Sequence, residues 1–304
     1  MGAKLYNGPL IEPHIHAHTR STDDLRALKE AGVVALVEPA FWSGIDKRFP
    51  QSFFDYFSEI LDFEQGDMPY GKRRASKFGL QHFCLLGVNA KEAENLDMVN
   101  AVLEMSDKDG NLFQRYLSHP RCLGVGEIGL NRNTKNEIAA FRKQLQVAKA
   151  RGEIVIIHTP HDYSERPQDR FKVAGTKIII EVIRDVYGAG TPCPFIDLDH
   201  TTDETIDLAL SLPGAYVGFT LYPTKMSIER VIPLLRAHLD QYDRFLINGS
   251  ADWDDSDPLA VPRAAEAMIR AGFSQEQTRR LVYENPDRFL SQSAKYRKIM
   301  ASTG

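Results

Sequence analysis

The sequence predicts a single (β/α)8 TIM barrel with its active site at the C-terminal ends of the strands. Three observations predict it. Eight short apolar, β-branched or aromatic runs alternate with helix-like segments. A length of 304 residues suits one barrel. His, Glu and Asp residues of metal-ligating type fall where the runs end, so closure would gather them at one mouth. A doubly wound open sheet has the same alternation, and the barrel reading rests on the count of runs and on that placement.

The runs expected as strands are Leu10–His16, Val33–Glu38, Gln81–Asn89, Cys122–Leu130, Ile154–His158, Phe195–His200, Ala215–Leu221 and Phe245–Ser250. Between them, Ser21-Thr22-Asp23-Asp24 offers a helix N-cap and Gly32 a stop. Further helices are expected over Glu137–Arg151, Thr176–Tyr187, Asp203–Leu212, Ile228–Leu239 and Pro262–Ala271. Residues 1–304 read as one domain, in which 41–78 form an extended connection carrying FWSGIDKRFP and FFDYF. An aromatic helix packed on the barrel wall is the favoured reading there, a cap or partner surface the other.

The hydrophobic share of 43% supports a sizeable core, and a net charge of −4 gives no basic field to concentrate nucleic acid. A small-molecule substrate is therefore expected, with nucleic acid not favoured. Cys84, Cys122 and Cys193 follow no metal spacing, and Cys84 and Cys122, in apolar strand-like runs, read as buried thiols. No apolar run reaches membrane-helix length and the N-terminus lacks a signal core, so a cytoplasmic protein is expected. There is no Walker loop, nucleophile elbow or dinucleotide fingerprint.

Residues two apart on a strand share a face, so Glu12, His14, His16 and His18 are expected in one row, with Ile11 and Ile15 facing the other way. A His-x-His pair alone is a weak signal. It gains weight from Glu127 in GVGEIGLN, His158 ending IVIIH, His200 ending FIDLDH and Asp252 in NGSADWDDSDP. Such a nitrogen and oxygen donor set suits two divalent ions, Zn²⁺ or Mn²⁺ first, with Mg²⁺, Co²⁺ or Fe²⁺ open. Two ions about 3.5–4 Å apart would bring a bridging water toward a pKa of ~7. His18 and His161 stand on loops beside candidate ligands, and Arg132, Arg166, Arg170 and Lys225 are candidates to steady an anionic substrate. His82, His119 and His238 read as structural or exposed.

With these residues in place the chain resembles the TatD-like metal-dependent hydrolases of the amidohydrolase superfamily. The likeness runs through Glu12–His16, GEIGLN, the histidines after the fifth and sixth strands, the Asp after the eighth, and ENPDRFL at 284–290. It implies one metal on His14, His16, Glu127 and Asp252 and another on Glu127, His158 and His200, with Glu127 shared. His16 and His18 are an alternative pair, but the acid two residues before His14 favours the earlier register. The departures are Glu12 for the usual Asp, Thr159-Pro160-His161 where an arginine is common, FTLYPTK on the seventh strand and SADW on the eighth. The implied activity is metal-dependent hydrolysis of a phosphoester or related ester of a small metabolite, with Asp252 and Glu127 catalytic. An amide or lactone hydrolase, or a barrel kept as an interaction protein, are the other readings.

Overall fold

A computed structural model of the protein describes residues 5–61, 72–163 and 166–302. Its main sheet has eight strands, which we number β1 Leu10–Glu12, β2 Val33–Pro39, β3 Gln81–Leu86, β4 Cys122–Gly129, β5 Ile154–His158, β6 Ile196–Asp199, β7 Tyr216–Thr220 and β8 Phe245–Asn248. Neighbours pair in parallel and in chain order, as right-handed crossovers through intervening helices dictate. The seam between β8 and β1 closes just beyond their ends: Ser250 N–H donates to His14 O (2.7 Å) and His16 N–H to Ala251 O (2.9 Å). The barrel reading thus holds.

Local chemistry sets the helices. Ser21 and Asp24 make a reciprocal capping box at the start of Thr22–Ala31, and Gly32 ends it with φ of 102°. Thr134 caps Lys135–Arg151. The aromatic stretch after β2 is the helix Pro50–Leu61, which buries Phe53, Phe54 and Phe57, with Phe54 against Tyr116 and Phe57 against Phe113 and Tyr116. It is a wall helix, as favoured. The remainder of that connection, 62–71, lies outside the described residues.

Strand alternation divides the core. Ala35, Val37, Ile154, Ile156, Tyr216 and Leu246 fill the interior, while Leu36, Val155, Ile157, Val217 and Ile247 face the helices. The C-terminal segment plugs the N-terminal end of the barrel, with Phe289 and Tyr296 packed at a tilt against Tyr216 and Phe83. Asn285 holds this plug, its Nδ2 donating to the carbonyls of Tyr242, ahead of β8, and of Phe245, its first residue (both 2.9 Å). With that end filled, the C-terminal mouth is left for chemistry. Among the described residues no helix is long and apolar enough to cross a membrane.

One expectation fails. β1 stops at Glu12, since Pro13 has no N–H to continue the ladder. Ile11 enters the interior core and Ile15 the outer one, so residues 11–18 do not form one alternating row.

Candidate metal centre

Tight backbone approach builds the floor of the site. A Cβ at Gly129 would stand 2.1 Å from the His158 carbonyl oxygen, and one at Gly218 would stand 2.3 Å from Asp199 Oδ1. Only glycine leaves room for β5 beside Glu127 and for the Asp199 carboxylate. His200 itself adopts φ of 57°, a left-handed conformation found at sites where surrounding contacts hold it. Those contacts include Asp199 Oδ1, which accepts from the His200 N–H (2.7 Å), and the buried Lys172, whose Nζ donates to the His200 carbonyl and to Thr159 Oγ1 (2.7 Å).

Four of the expected ligands meet directly. Glu127 Oε1 lies 2.9 Å from His158 Nδ1 and 2.7 Å from His200 Nε2, while Oε2 accepts from Asn89 Nδ2 (2.9 Å). His14, Glu127, Asp199 and His200 can each direct one ligand atom into a space with all of these atoms within 4.8 Å of one another. His16 joins through His14: their Nε2 atoms are 3.3 Å apart, and the His16 ring stacks on Phe41. Imidazole nitrogens bound at ~2.0–2.1 Å to one tetrahedral Zn²⁺ stand about 3.3 Å apart. The separation observed fits two ligands of a single ion.

Hydrogen bonding sets which nitrogen is available. His14 donates through Nδ1 to Asp199 Oδ2, which leaves the Nε2 lone pair facing His16. Thr220 Oγ1 donates to Asp199 Oδ1 (3.0 Å), so His200 Nδ1 donates to Thr220 (2.7 Å) and His200 Nε2 turns its lone pair toward Glu127. Two acceptors face each other there, an arrangement that a cation satisfies. His158 Nε2 and His161 Nε2 are buried without hydrogen-bond partners. The donor set fits divalent metal.

Electrostatics agree with the binding-competent forms. Burial holds His158 below its ordinary pKa; it holds His16, with His14 beside it, and His200, with Lys225 beside it, well below. Burial would push Glu127 up, but His158 and His200 outweigh it and hold the carboxyl well below its usual range. Asp199 is likewise held down by His200 and His14 against its burial. Neutral imidazoles and ionised carboxylates are the forms that bind metal.

The residues beyond this set divide. His161 turns inward, its ring 5.0 Å from that of His158 and 5.2 Å from that of His200. Lys225 places Nζ 3.3 Å from His200 Nδ1 and 3.4 Å from Ser250 Oγ, with burial lowering its pKa to about 8. Asp252 lines the cavity but stands apart from both groups of convergent ligand atoms. The chain turns at Ser250, φ 45°, and the Asp252 carboxylate accepts from Tyr222 OH (3.1 Å) and the Asp254 N–H (3.0 Å). Asp252 thus stands on the cavity wall outside the convergent ligand atoms, and Ser250 Oγ, 3.4 Å from His14 Nε2, occupies the strand tip. His18 leaves the site altogether, pairing through Nδ1 with Glu38 (2.5 Å). Arg132, Arg166 and Arg170 are exposed and do not line the cavity.

Asp199 and Lys172 escaped the sequence reading. For Asp199 a usable signal existed, an acid inside the apolar run FIDLDH. Lys172 carries none, since a lysine at a helix start is commonplace. The cavity over the centre holds about 360 Å³ and is walled by Trp42, Lys91, Tyr163, Tyr222, Lys225 and Asp252.

The model of the family described as TatD related DNase matches residues 11–175. An uncharacterized metal-dependent hydrolase of Methanocaldococcus jannaschii is 24% identical over 283 residues, covering 92% of this chain and 99% of that protein. Among solved structures, a TatD-like protein from Archaeoglobus fulgidus superposes with a TM-score of 0.67 at 22% identity, over 92% of this chain and 99% of that one. A mutant organophosphorus hydrolase from Deinococcus radiodurans gives 0.61 at 18% identity, over 95% of each chain. Joined to a closed barrel whose mouth gathers His14, His16, Glu127, His158 and His200, the match of that family model to more than half of the chain shows that the chain belongs to the TatD family of metal-dependent hydrolases.

Proposed function

We propose that the protein hydrolyses a phosphoester or related ester of a small anionic metabolite, using two divalent ions, Zn²⁺ or Mn²⁺, held by His14, His16, Glu127, His158 and His200. The observation that carries this reading is the position of Glu127, whose carboxylate borders His158 and His200 and lies within ligand reach of His14. Bound there, the ions supply an activated water and polarise the bond to be cleaved. Asp252 receives the water's proton from the cavity wall, where Tyr222 OH orients its carboxylate. Lys225 and Lys91 line the same cavity and neutralise charge that develops on the substrate. The size of the cavity favours a metabolite over a nucleic-acid duplex.

A lactone is the alternative substrate. It is favoured by the departures at the seventh- and eighth-strand loops and by the fold shared with a lactonase from Listeria monocytogenes, TM-score 0.54 at 13% identity over 94% of this chain and 95% of that one. Chromogenic phosphodiesters, phosphomonoesters and lactones assayed with each metal separate the two. Turnover of an ester that disappears in Glu127→Ala supports hydrolysis at this centre; undiminished turnover in that variant refutes it.

A further inference from the structure

The loop after β5 carries an imidazole that the metal centre described so far does not use. His161 lies between anchored neighbours. Thr159 Oγ1 donates to the Asp199 carbonyl (2.6 Å), and Asp162 Oδ1 accepts from the Lys172 N–H at the next helix start (2.9 Å). Pro160 packs at Gly175, where a Cβ would lie 2.4 Å from its Cγ. His161 is thereby presented inward, with Nε2 buried and unpartnered. One nitrogen from each of His158, His161 and His200 falls within a mutual 4.8 Å.

The opposite half of the centre is poorer in imidazoles, since the group that converges around His14 is completed by the carboxylates of Glu127 and Asp199 beside His200. His14 and His16 face each other there, but the strand tip offers the hydroxyl of Ser250 while the Asp252 carboxylate is turned to Tyr222. We propose that His161 is a metal ligand, a third imidazole in the His158–His200 half, and that this half holds its ion more tightly than the His14–His16 half. The inference rests on the metal-dependent reading above. A site of three imidazoles suits Zn²⁺ or Co²⁺ more than Mg²⁺.

The test is a Co²⁺ titration of metal-stripped protein, followed by visible absorption and by equilibrium dialysis. The wild type should bind in two unequal steps. In His161→Ala and His161→Asn the tighter step should weaken by at least about tenfold, the scale reached even by loss of an outer-shell partner. X-ray absorption at one equivalent of Zn²⁺ should show three imidazoles in the wild type and two in either variant. Melting of the metal-free variants at the wild-type temperature excludes misfolding as the cause, and the asparagine variant serves if alanine fails to fold. Equal steps in the wild type, or unchanged binding in a folded variant, overturn the His161 assignment alone. A wild type that takes up no Co²⁺ overturns the hydrolase reading with it.

Discussion

Asp199 and His14, 185 residues apart in sequence, are joined inside the barrel by a hydrogen bond from the imidazole Nδ1 to the carboxylate Oδ2. The same carboxylate takes hydrogen bonds from the His200 N–H, Thr220 and Asn248 through its other oxygen, so its lone pairs are engaged and it supports the ligands. Asp199→Asn would place an amide NH₂ or a neutral oxygen against His14. The tautomer that frees Nε2 loses its support. Zn²⁺ affinity, read by equilibrium dialysis, is expected to fall by roughly 10–100-fold with the fold intact. Unchanged affinity would assign Asp199 a purely structural role.

Ser250→Asp should act in the opposite direction. Its φ of 45° is one that aspartate tolerates, and its side chain stands beside His14 Nε2 and Lys225 Nζ. A carboxylate there completes the His14–His16 half. The weaker metal step is expected to tighten by about tenfold, or 1.4 kcal/mol, with the tighter step unmoved in the same titration.

Lys225→Met tests the anionic substrate. Loss of a charged donor is expected to lower kcat/KM for a phosphoester by roughly 10–100-fold, from about 1.5–3 kcal/mol per charged hydrogen bond. A neutral lactone should be affected far less. Equal losses on both substrates would remove the charge argument.

A pH dependence follows from Glu38, a fully buried carboxylate that accepts from His82 Nε2 (2.6 Å) and from His18. Its burial raises the pKa, but the two histidines outweigh this and hold it below the ordinary 4.5. A carboxyl depressed in the folded state contributes stability above the unfolded value and loses it as pH falls toward the folded one. Glu38→Gln should therefore cost about 1–3 kcal/mol at pH 7, with the deficit shrinking below pH 4.5, as urea melts at several pH values would show. A deficit constant with pH would assign the loss to packing.

The barrel and most of the centre were legible because strand alternation aims tip residues inward: His158 continues the interior positions Ile154 and Ile156. That logic fails where the backbone leaves the ladder. Pro13 ends β1 early, so His14 and His16 converge through an irregular segment and His18 departs to Glu38. The turn at Ser250 moves Asp252 onto the wall, and nothing in SADWDD announces a left-handed residue. Asp199 was hidden by its neighbour: the histidine drew the metal argument while the acid beside it resembled an ordinary strand-end charge. The arginines after β5 suggest a cationic rim, but solvent rewards their exposure, and Lys91 and Lys225, the latter tethered beside His200, are the cations that line the cavity.

Metal content is the most direct probe of the centre at the mouth of the barrel. Elemental mass spectrometry of gently purified protein should find near two equivalents of a transition metal in the wild type and loss of metal from a His14→Ala, Glu127→Ala double variant. Absence of metal from the wild type, persisting after reconstitution with Zn²⁺ and Mn²⁺, would contradict the account.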